Sequence, residues 1–397
     1  MRGIARIISL IGTNFVLEGG AAPLLHTERN THFGERSTNS CSKPGISGTN
    51  SVSILGIDYR AARGCGKGGT MRVALLDDYQ DVAKTMTAWN ALSSNAEVTA
   101  FKNHITDEAD LAQQLMGYDV VVCMRERTPF PKSVLAKLPD LKLLITTGMA
   151  NAAFDMDAAT EMGITVAGTG GTGDTTGELT WGLLLALTRH IAEEDRATRG
   201  GEWQTTIGPG LKGKTLGLLG LGRIGSEMAR FAHAFQMPVI AWSQNLTKER
   251  AVECGAVLVT KEDLFASADV ISIHLRLSER TRNLVTARDL AMMKPTAYLI
   301  NTSRGPIVTE TALIDALRRQ AIAGAAMDVF DQEPLPQDHP LRGLKNTVVT
   351  PHLGYVTTEA YATMYSHAVE NIRTFEAGEP TRVLNPAVRQ QANFRRP

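Results

Sequence analysis

Arg304, Glu333 and His352 stand at or just past the ends of three apolar runs, in the segments INTSRG, DVFDQEP and TPHLG. These residue types suit one chemistry. A guanidinium presents a planar fork that fits a carboxylate, or a carboxylate with its neighbouring carbonyl oxygen. An imidazole titrates near neutral pH, so it can protonate an alkoxide as it forms and take the proton back in the reverse direction. A carboxylate beside the imidazole favours its charged form and raises its pKa. The set describes reduction of a 2-oxo acid by hydride transfer: Arg304 grips the acid, His352 handles the proton and Glu333 tunes it. Each residue alone has a plainer reading. An arginine at a strand end is commonly solvated or salt-bridged, and a lone histidine is commonly structural, as His274 in VISIHL is read here. The combination carries the argument, because open α/β sheets bind ligands outside the carboxyl ends of their strands, and three suitable groups occupy three successive ends.

A hydride needs a carrier, and the segment LGLLGLGRIG supplies a seat for one. Leu216 to Leu219 form a short apolar strand, and RIGSEMARFAHAF from Arg223 has helical periodicity. In a strand, tight turn and helix of this kind, Gly220 permits the turn, Gly222 lets the backbone approach a pyrophosphate, and Gly225 allows close helix-to-strand packing. The bare glycine pattern is weak, since methyltransferase-like folds share it; the flanking strand and helix give it weight. After the next strand, MPVIAW, a carboxylate for the adenosine ribose is expected about twenty residues past the glycines. The chain has Ser243, Gln244 and Asn245 there, with Lys248 and Arg250 close behind. NAD and NADP both remain open.

From Met71 onward, apolar strands alternate with helical stretches, the pattern of parallel sheets with crossover helices. Strands are expected at VALLDD, VTAF, DVVVCM, LKLLITT and TVAG, and after the glycine turn at VISIHL, AYLIN, GAAMDVF and TVVTP. One helix, Thr175 to Arg196, links two domains; another, about Thr357 to Ala377, carries the chain back to the first. The expected fold is α/β, with two Rossmann-like parallel-sheet domains, one flavodoxin-like and one dinucleotide-binding, and a cleft between them. The expected boundaries are a disordered extension over 1–70, the substrate domain over 71–173, the NAD(P)-binding domain over 174–354, the returning helix and second part of the substrate domain over 355–388, and a tail over 389–397.

Composition agrees with an enzyme of two compact domains, since 397 residues exceed the usual size of one hydrophobic core. With 41 basic and 41 acidic residues and no basic stripe, nucleic acid is not the expected partner. No apolar run is long enough for a bilayer. Cys41, Cys65, Cys123 and Cys254 have neither metal-ligand spacing nor a disulfide framework, so no metal is expected and a reducing compartment, the cytoplasm, is the simplest setting. The first seventy residues are rich in Gly, Ser, Thr and Asn and lack periodicity, which reads as disorder. Arg2 and Arg6 flank a short apolar stretch reaching Leu17, faintly like a targeting peptide, but Glu18, Glu28 and Glu35 spoil that composition. An extended gene model or dispensable tail is favoured, with Met71 as a natural start.

The segments LGLLGLGRIG, ADVISIHLRLSERTRNLV, MKPTAYLINTSRGPIVTETAL, AAMDVFDQEP and TPHLGYVT together resemble the D-isomer-specific 2-hydroxyacid dehydrogenase family, which includes phosphoglycerate, glycerate and D-lactate dehydrogenases. The resemblance covers nearly everything after Met71. It implies that Arg304 binds substrate and that Glu333 pairs with His352. It further implies that Arg223 and Ile224 contact the pyrophosphate, that Leu275 lines the adenine side, and that Thr302, Ser303 and Asp328 hold the nicotinamide. Ser243 stands where an aspartate usually meets the ribose, and Thr128 in RERTPF reaches the cofactor across the cleft. The loop TTGMANAAFD is similar to the family's glycine-rich substrate loop and implicates the amides of Met149 and Ala150, although it departs from the commoner G-x-G-x-D-N form. Arg276 stands where a proline is frequent. Formate-oxidising relatives use a glutamine where Glu333 stands, which counts against that activity. The implied substrate is a small 2-hydroxy or 2-oxo acid, and the implied assembly is a homodimer. Two other readings stay open: an NAD(H)-sensing corepressor-like protein of the same fold, and a methyltransferase, which gives the Arg, Glu and His set no role. The chain ends soon after the returning helix, so no appended regulatory domain is expected.

Overall fold

The computed structural model describes residues 70–171 and 175–397. The expectations of disorder, targeting or a dispensable extension in the N-terminal segment lie outside the described residues, Thr70 excepted.

The first lobe is a five-stranded parallel sheet in the order β2-β1-β3-β4-β5. Its strands are β1 (Met71–Leu75), β2 (Ala96–Ala100), β3 (Val120–Cys123), β4 (Leu143–Thr146) and β5 (Thr165–Gly168). Helices α1 (Glu108–Gln114), α2 (Lys132–Leu135) and α3 (Met156–Glu161) provide the crossovers. Strands β3, β4 and β5 are buried at every position, and their sequences VVVC, LLIT and TVAG accordingly show no polar alternation. Both faces must therefore be covered. The α1–α3 side contributes Leu111, Val134 and Ala158 to one core. On the other side lie Tyr361, Tyr365, Ala368 and Ile372, contributed from far along the chain.

The second lobe is a seven-stranded parallel sheet in the order β12-β11-β10-β9-β6-β7-β8. Helices α4 (Thr175–Thr188) and α5 (Ile191–Arg199) precede it. It begins with β6 (Leu216–Leu219), α6 (Arg223–Ala234), β7 (Val239–Trp242), α7 (Lys248–Glu253), β8 (Val257–Leu258) and α8 (Lys261–Ser267). It continues with β9 (Val270–Ile273), α9 (Ala287–Met292), β10 (Tyr298–Asn301), α10 (Glu310–Arg318), β11 (Gly324–Met327) and β12 (Thr347–Val349). Helix α11 (Thr358–Glu376) then packs its Tyr361, Tyr365 and Ile372 onto the first sheet. The strand order reverses between β6 and β9, the switch point outside whose carboxyl ends dinucleotides bind in such sheets.

One expected element differs. The helix anticipated over Thr175 to Arg196 is two helices, broken at Arg189 and His190. His190 adopts the left-handed conformation, φ 52°, and its carbonyl accepts from Glu193 and Glu194 N–H to start α5 afresh. The break places α4, with Trp181, Leu184 and Leu187, in the second lobe's core, while α5 buries no residue.

The C-terminal segment, set apart above as a tail, is bonded to the first lobe. Arg395 Nη1 donates to the carbonyls of Leu138 and Leu141, and Asn393 Nδ2 donates to that of Glu161.

Candidate active site

The turn after β6 has the shape its glycines require. Gly220 has φ +100°, and a Cβ there would lie 2.6 Å from the His274 carbonyl oxygen. On Gly225 a Cβ would lie 2.1 Å from the Gly220 carbonyl oxygen, so α6 presses directly on the turn. Gly222 is different: a Cβ there meets nothing within 4 Å, and the residue is exposed. It is also the N-cap of α6, with no side chain capping the first turn. The helix therefore offers open N–H groups and a positive dipole end beside an uncluttered backbone, which fits a pyrophosphate. Arg223 is exposed and Ile224 half-buried in that first turn. Leu275 Cδ2 would lie 3.0 Å from a Cβ on Gly220, placing this side chain against the turn. Past β7, Ser243 is half-buried, and its carbonyl accepts from Leu246 N–H. Arg250 reaches back to donate to Ser226 Oγ at 3.0 Å, so a cation stands beside the first turn of α6.

His274 directly follows β9 under this turn. Its Nε2 lies 2.9 Å from Ser272 Oγ, and its Nδ1 is enclosed without a hydrogen-bond partner. The residue keeps some accessible surface, but the enclosed ring nitrogen decides the cost of charging it. Burial pulls its pKa down to about 3. The folded state holds the ring neutral while the unfolded chain takes a proton below about pH 6.5, so stability is complete above that value and declines as pH falls toward the folded pKa. Between pH 7.5 and 5.5 the expected loss is about 1.4 kcal/mol. Denaturant midpoints at the two pH values measure it, and His274→Asn should flatten the difference.

At the end of β10, Asn301 is fully buried; its Oδ1 accepts from Ser303 N–H and its Nδ2 donates to the Arg304 carbonyl. This folds the turn that carries Arg304. Thr302 Oγ1 lies 2.7 Å from Thr180 Oγ1 of α4, and Ser303 Oγ donates to the Leu275 carbonyl. Arg304 Nη1 donates to the Ser303 carbonyl at 2.8 Å, and Nη2 faces Glu126 Oε1 of the first lobe at 3.3 Å.

Glu333 and His352 meet. His352 Nδ1 and Glu333 Oε2 are 2.6 Å apart, and Glu333 Oε1 accepts from Phe330 N–H at 3.0 Å. Burial pushes the Glu333 carboxyl up, but the His352 hydrogen bond and charge, the Phe330 amide and the Arg304 charge outweigh it and hold it below the usual carboxylate range. His352 has φ 56°, a left-handed conformation that costs a residue with a Cβ about 1–2 kcal/mol. Asp328 holds it there. Its carboxylate accepts from Thr350 Oγ1, Leu353 N–H and Gly354 N–H at 2.6, 2.7 and 2.9 Å, clamping the chain on both sides of His352. Burial pushes the Asp328 carboxyl up, and these bonds act against that. The sequence reading placed Asp328 at the nicotinamide; the structure shows its oxygens engaged with this loop.

Several neighbours had no signal in the spacing. Tyr355 lies against His352 with ring centroids 5.5 Å apart and stacks on Tyr361 of α11. Tyr79 and Arg127 of the first lobe face Phe330, Glu333, Pro334, Leu335 and His352 across a cavity of about 260 Å³. Thr128, expected to reach the cofactor, is buried within the first lobe, where its hydroxyl donates to Asp77 at 2.7 Å. Met149 and Ala150 are exposed on the loop after β4, which Asn151 ties to the β3 loop through the Arg125 carbonyl.

Among the described residues no group of three or more His, Cys, Asp or Glu side chains is arranged to hold a metal ion, and no helix is long and apolar enough to cross a membrane.

Residues 181–354 match the model of the D-isomer specific 2-hydroxyacid dehydrogenase NAD binding domain. Among curated proteins, the glyoxylate reductase of Aeropyrum pernix is 40% identical over 266 residues, covering 64% of this chain and 79% of that protein. Among solved structures, phosphoglycerate oxidoreductase from Vibrio cholerae O395 is 38% identical with a TM-score of 0.75, over 78% of this chain and 99% of that one. An acyclic imino acid reductase in complex with NADPH and D-Arg is 28% identical with a TM-score of 0.62, over 79% of this chain and 100% of that one. The glycine turn, the reversal of strand order beside it and these similarities converge: the chain belongs to the D-isomer-specific 2-hydroxyacid dehydrogenase family and is an NAD(P)-dependent oxidoreductase acting on CH–OH groups.

Proposed function

We propose that the chain interconverts a small 2-oxo acid and its D-2-hydroxy acid, with Arg304, Glu333 and His352 as the acting side chains. The observation that supports this most is the 2.6 Å His352–Glu333 pair, set in a loop that Asp328 clamps and within the electrostatic reach of Arg304. Bound NAD(P)H supplies the hydride. Glu333, held ionised, takes the Nδ1 side of the ring, which leaves Nε2 as the nitrogen that gives a proton to the substrate oxygen and recovers it in the reverse direction. Arg304 orients the acid through its carboxylate, assisted by the exposed Met149–Ala150 loop. Gly220, Gly222, Arg223, Ile224 and Gly225 cradle the pyrophosphate, and Leu275 borders the adenine side. Thr302 and Ser303, fixed by Thr180 and the Leu275 carbonyl, shape the nicotinamide side. Asp328 acts through His352, by holding the loop. The cavity lined by Tyr79, Phe330, Pro334 and Leu335 leaves room for a substituent at C3. Glyoxylate, hydroxypyruvate and pyruvate are the substrates to try first, the first because a relative is a glyoxylate reductase.

The test is a spectrophotometric screen of 2-oxo acids against NADH and NADPH. Turnover with at least one acid is expected; tight coenzyme binding with no turnover on any of them would refute the assignment in favour of a nucleotide sensor. Because Ser243, Gln244 and Asn245 follow β7 directly, with no acid among them, and Arg250, paired with Glu253, stands by the turn, NADPH belongs in the screen beside NADH. Arg304→Lys should chiefly raise KM, by about tenfold, since a point charge replaces a bidentate fork and one charged hydrogen bond is lost. Steady-state kinetics on the best acid would expose an unchanged KM, which is incompatible with Arg304 as the anchor.

A further inference from the structure

Glu126 follows β3 in the first lobe and sits between two guanidinium groups, one from each lobe. Its Oε1 lies 3.3 Å from Arg304 Nη2, and its Oε2 lies 3.9 Å from the Nε of Arg125. That Nε is enclosed and has no hydrogen-bond partner, while Arg125 Nη1 donates to the Thr147 carbonyl. The backbone here is braced, with Arg125 N–H bonded to Thr147 Oγ1 and its carbonyl bonded to Asn151. Glu126 is therefore held where an incoming carboxylate would go.

The charges limit what can enter. When a substrate carboxylate takes the Nη2 side of Arg304, Glu126 is displaced but keeps Arg125 beside it. Two cations then face two carboxylates. A second anionic group on the same substrate, if it lies on the Arg304 side of the cleft, meets the Glu126 charge there. The other guanidinium groups of the cavity keep their charge but are anchored away from Arg304 by neutral partners, Arg127 by the Asp77 carbonyl and the Tyr79 and Tyr355 rings, Arg342 by the Pro336 and Leu335 carbonyls. We propose that Glu126 is a specificity-determining residue that biases the Arg304 side of the cleft against a second carboxylate or a phosphate on the substrate and toward a neutral or cationic substituent. The proposal rests on Arg304 being the carboxylate anchor.

The test uses Glu126→Gln, which keeps the side chain's shape and removes its charge. Three probes are compared in the wild type and the variant: pyruvate or the best monoanionic acid of the screen, dianionic oxaloacetate, and 2-oxo-5-guanidinovalerate with its cationic tail. Each is read as kcat/KM or, where turnover is too slow, as competitive inhibition of the first. Relative to pyruvate, oxaloacetate should improve about tenfold in the variant and the guanidino acid should worsen by a similar factor, the order expected of one unit charge a few ångströms away in a partly screened cleft. A merely structural role would move all three acids alike, and a common shift or no shift overturns the proposal. Arg304→Gln separates the two levels. If it leaves the KM for pyruvate unchanged, the anchor reading fails and takes Glu126 with it; if it raises KM while the Glu126→Gln ratios stay put, the Glu126 assignment fails alone.

Discussion

Replacing His352 with Ala lowers kcat by about 10²–10⁴-fold, the usual worth of a positioned acid or base, and leaves coenzyme affinity nearly intact. The loss falls on turnover because the imidazole is held against Glu333 at 2.6 Å on the loop after β12, while the glycine turn proposed to bind the dinucleotide follows β6. Folding should survive, since His352 contributes no apolar side chain to either core and Ala relieves no clamp: the Asp328 bonds run to Thr350, Leu353 and Gly354. Steady-state kinetics with the best 2-oxo acid, paired with a fluorescence titration of reduced coenzyme, gives both quantities. Undiminished turnover removes His352 from the chemistry.

Gly220→Ala and Gly222→Ala should separate two kinds of glycine. At Gly220 the new Cβ must live at φ +100° and 2.6 Å from a backbone oxygen, so the unliganded protein should lose about 3 kcal/mol through strain and overpacking, and coenzyme binding should fall with it. At Gly222 the new methyl points into open space, so thermal stability should barely change while coenzyme affinity drops, because the methyl occupies the approach of the pyrophosphate. Melting curves without ligand, followed by coenzyme titration, resolve the two. Equal melting temperatures for wild type and Gly220→Ala would mean the turn relaxes at no cost.

Much of this architecture was legible because it is written locally. Strands buried on both faces show as uninterrupted runs such as LLIT and VISI, and the glycine turn announces itself by being flanked by a strand and a helix. The pairing of Glu333 with His352 was expected from the family resemblance, and the neighbouring positions of β11 and β12 in the sheet account for it. What escaped notice depends on other features. The break at His190 has neither glycine nor proline to mark it; a histidine simply takes the left-handed conformation. Glu126 and Arg304 are 178 residues apart and meet across the cleft, which no periodicity reports. Thr128 is expected at the cofactor by resemblance alone, and the bond its hydroxyl donates to the buried Asp77 has no trace in the local sequence. Asn301 left a trace that could have been used: a polar residue closing the apolar strand YLIN needs partners, and the Arg304 turn provides them.

Thr175 and Thr176, at the start of α4, both donate their hydroxyls to the carbonyl of Gly354, at 2.8 and 2.9 Å. One passage between the lobes is thus knotted to the other, two residues from His352. Under the role proposed for His352, a shift of one lobe against the other would pull on that peptide and so change where the imidazole aims. A ligand that wedges the lobes apart would misdirect the imidazole without ever touching it.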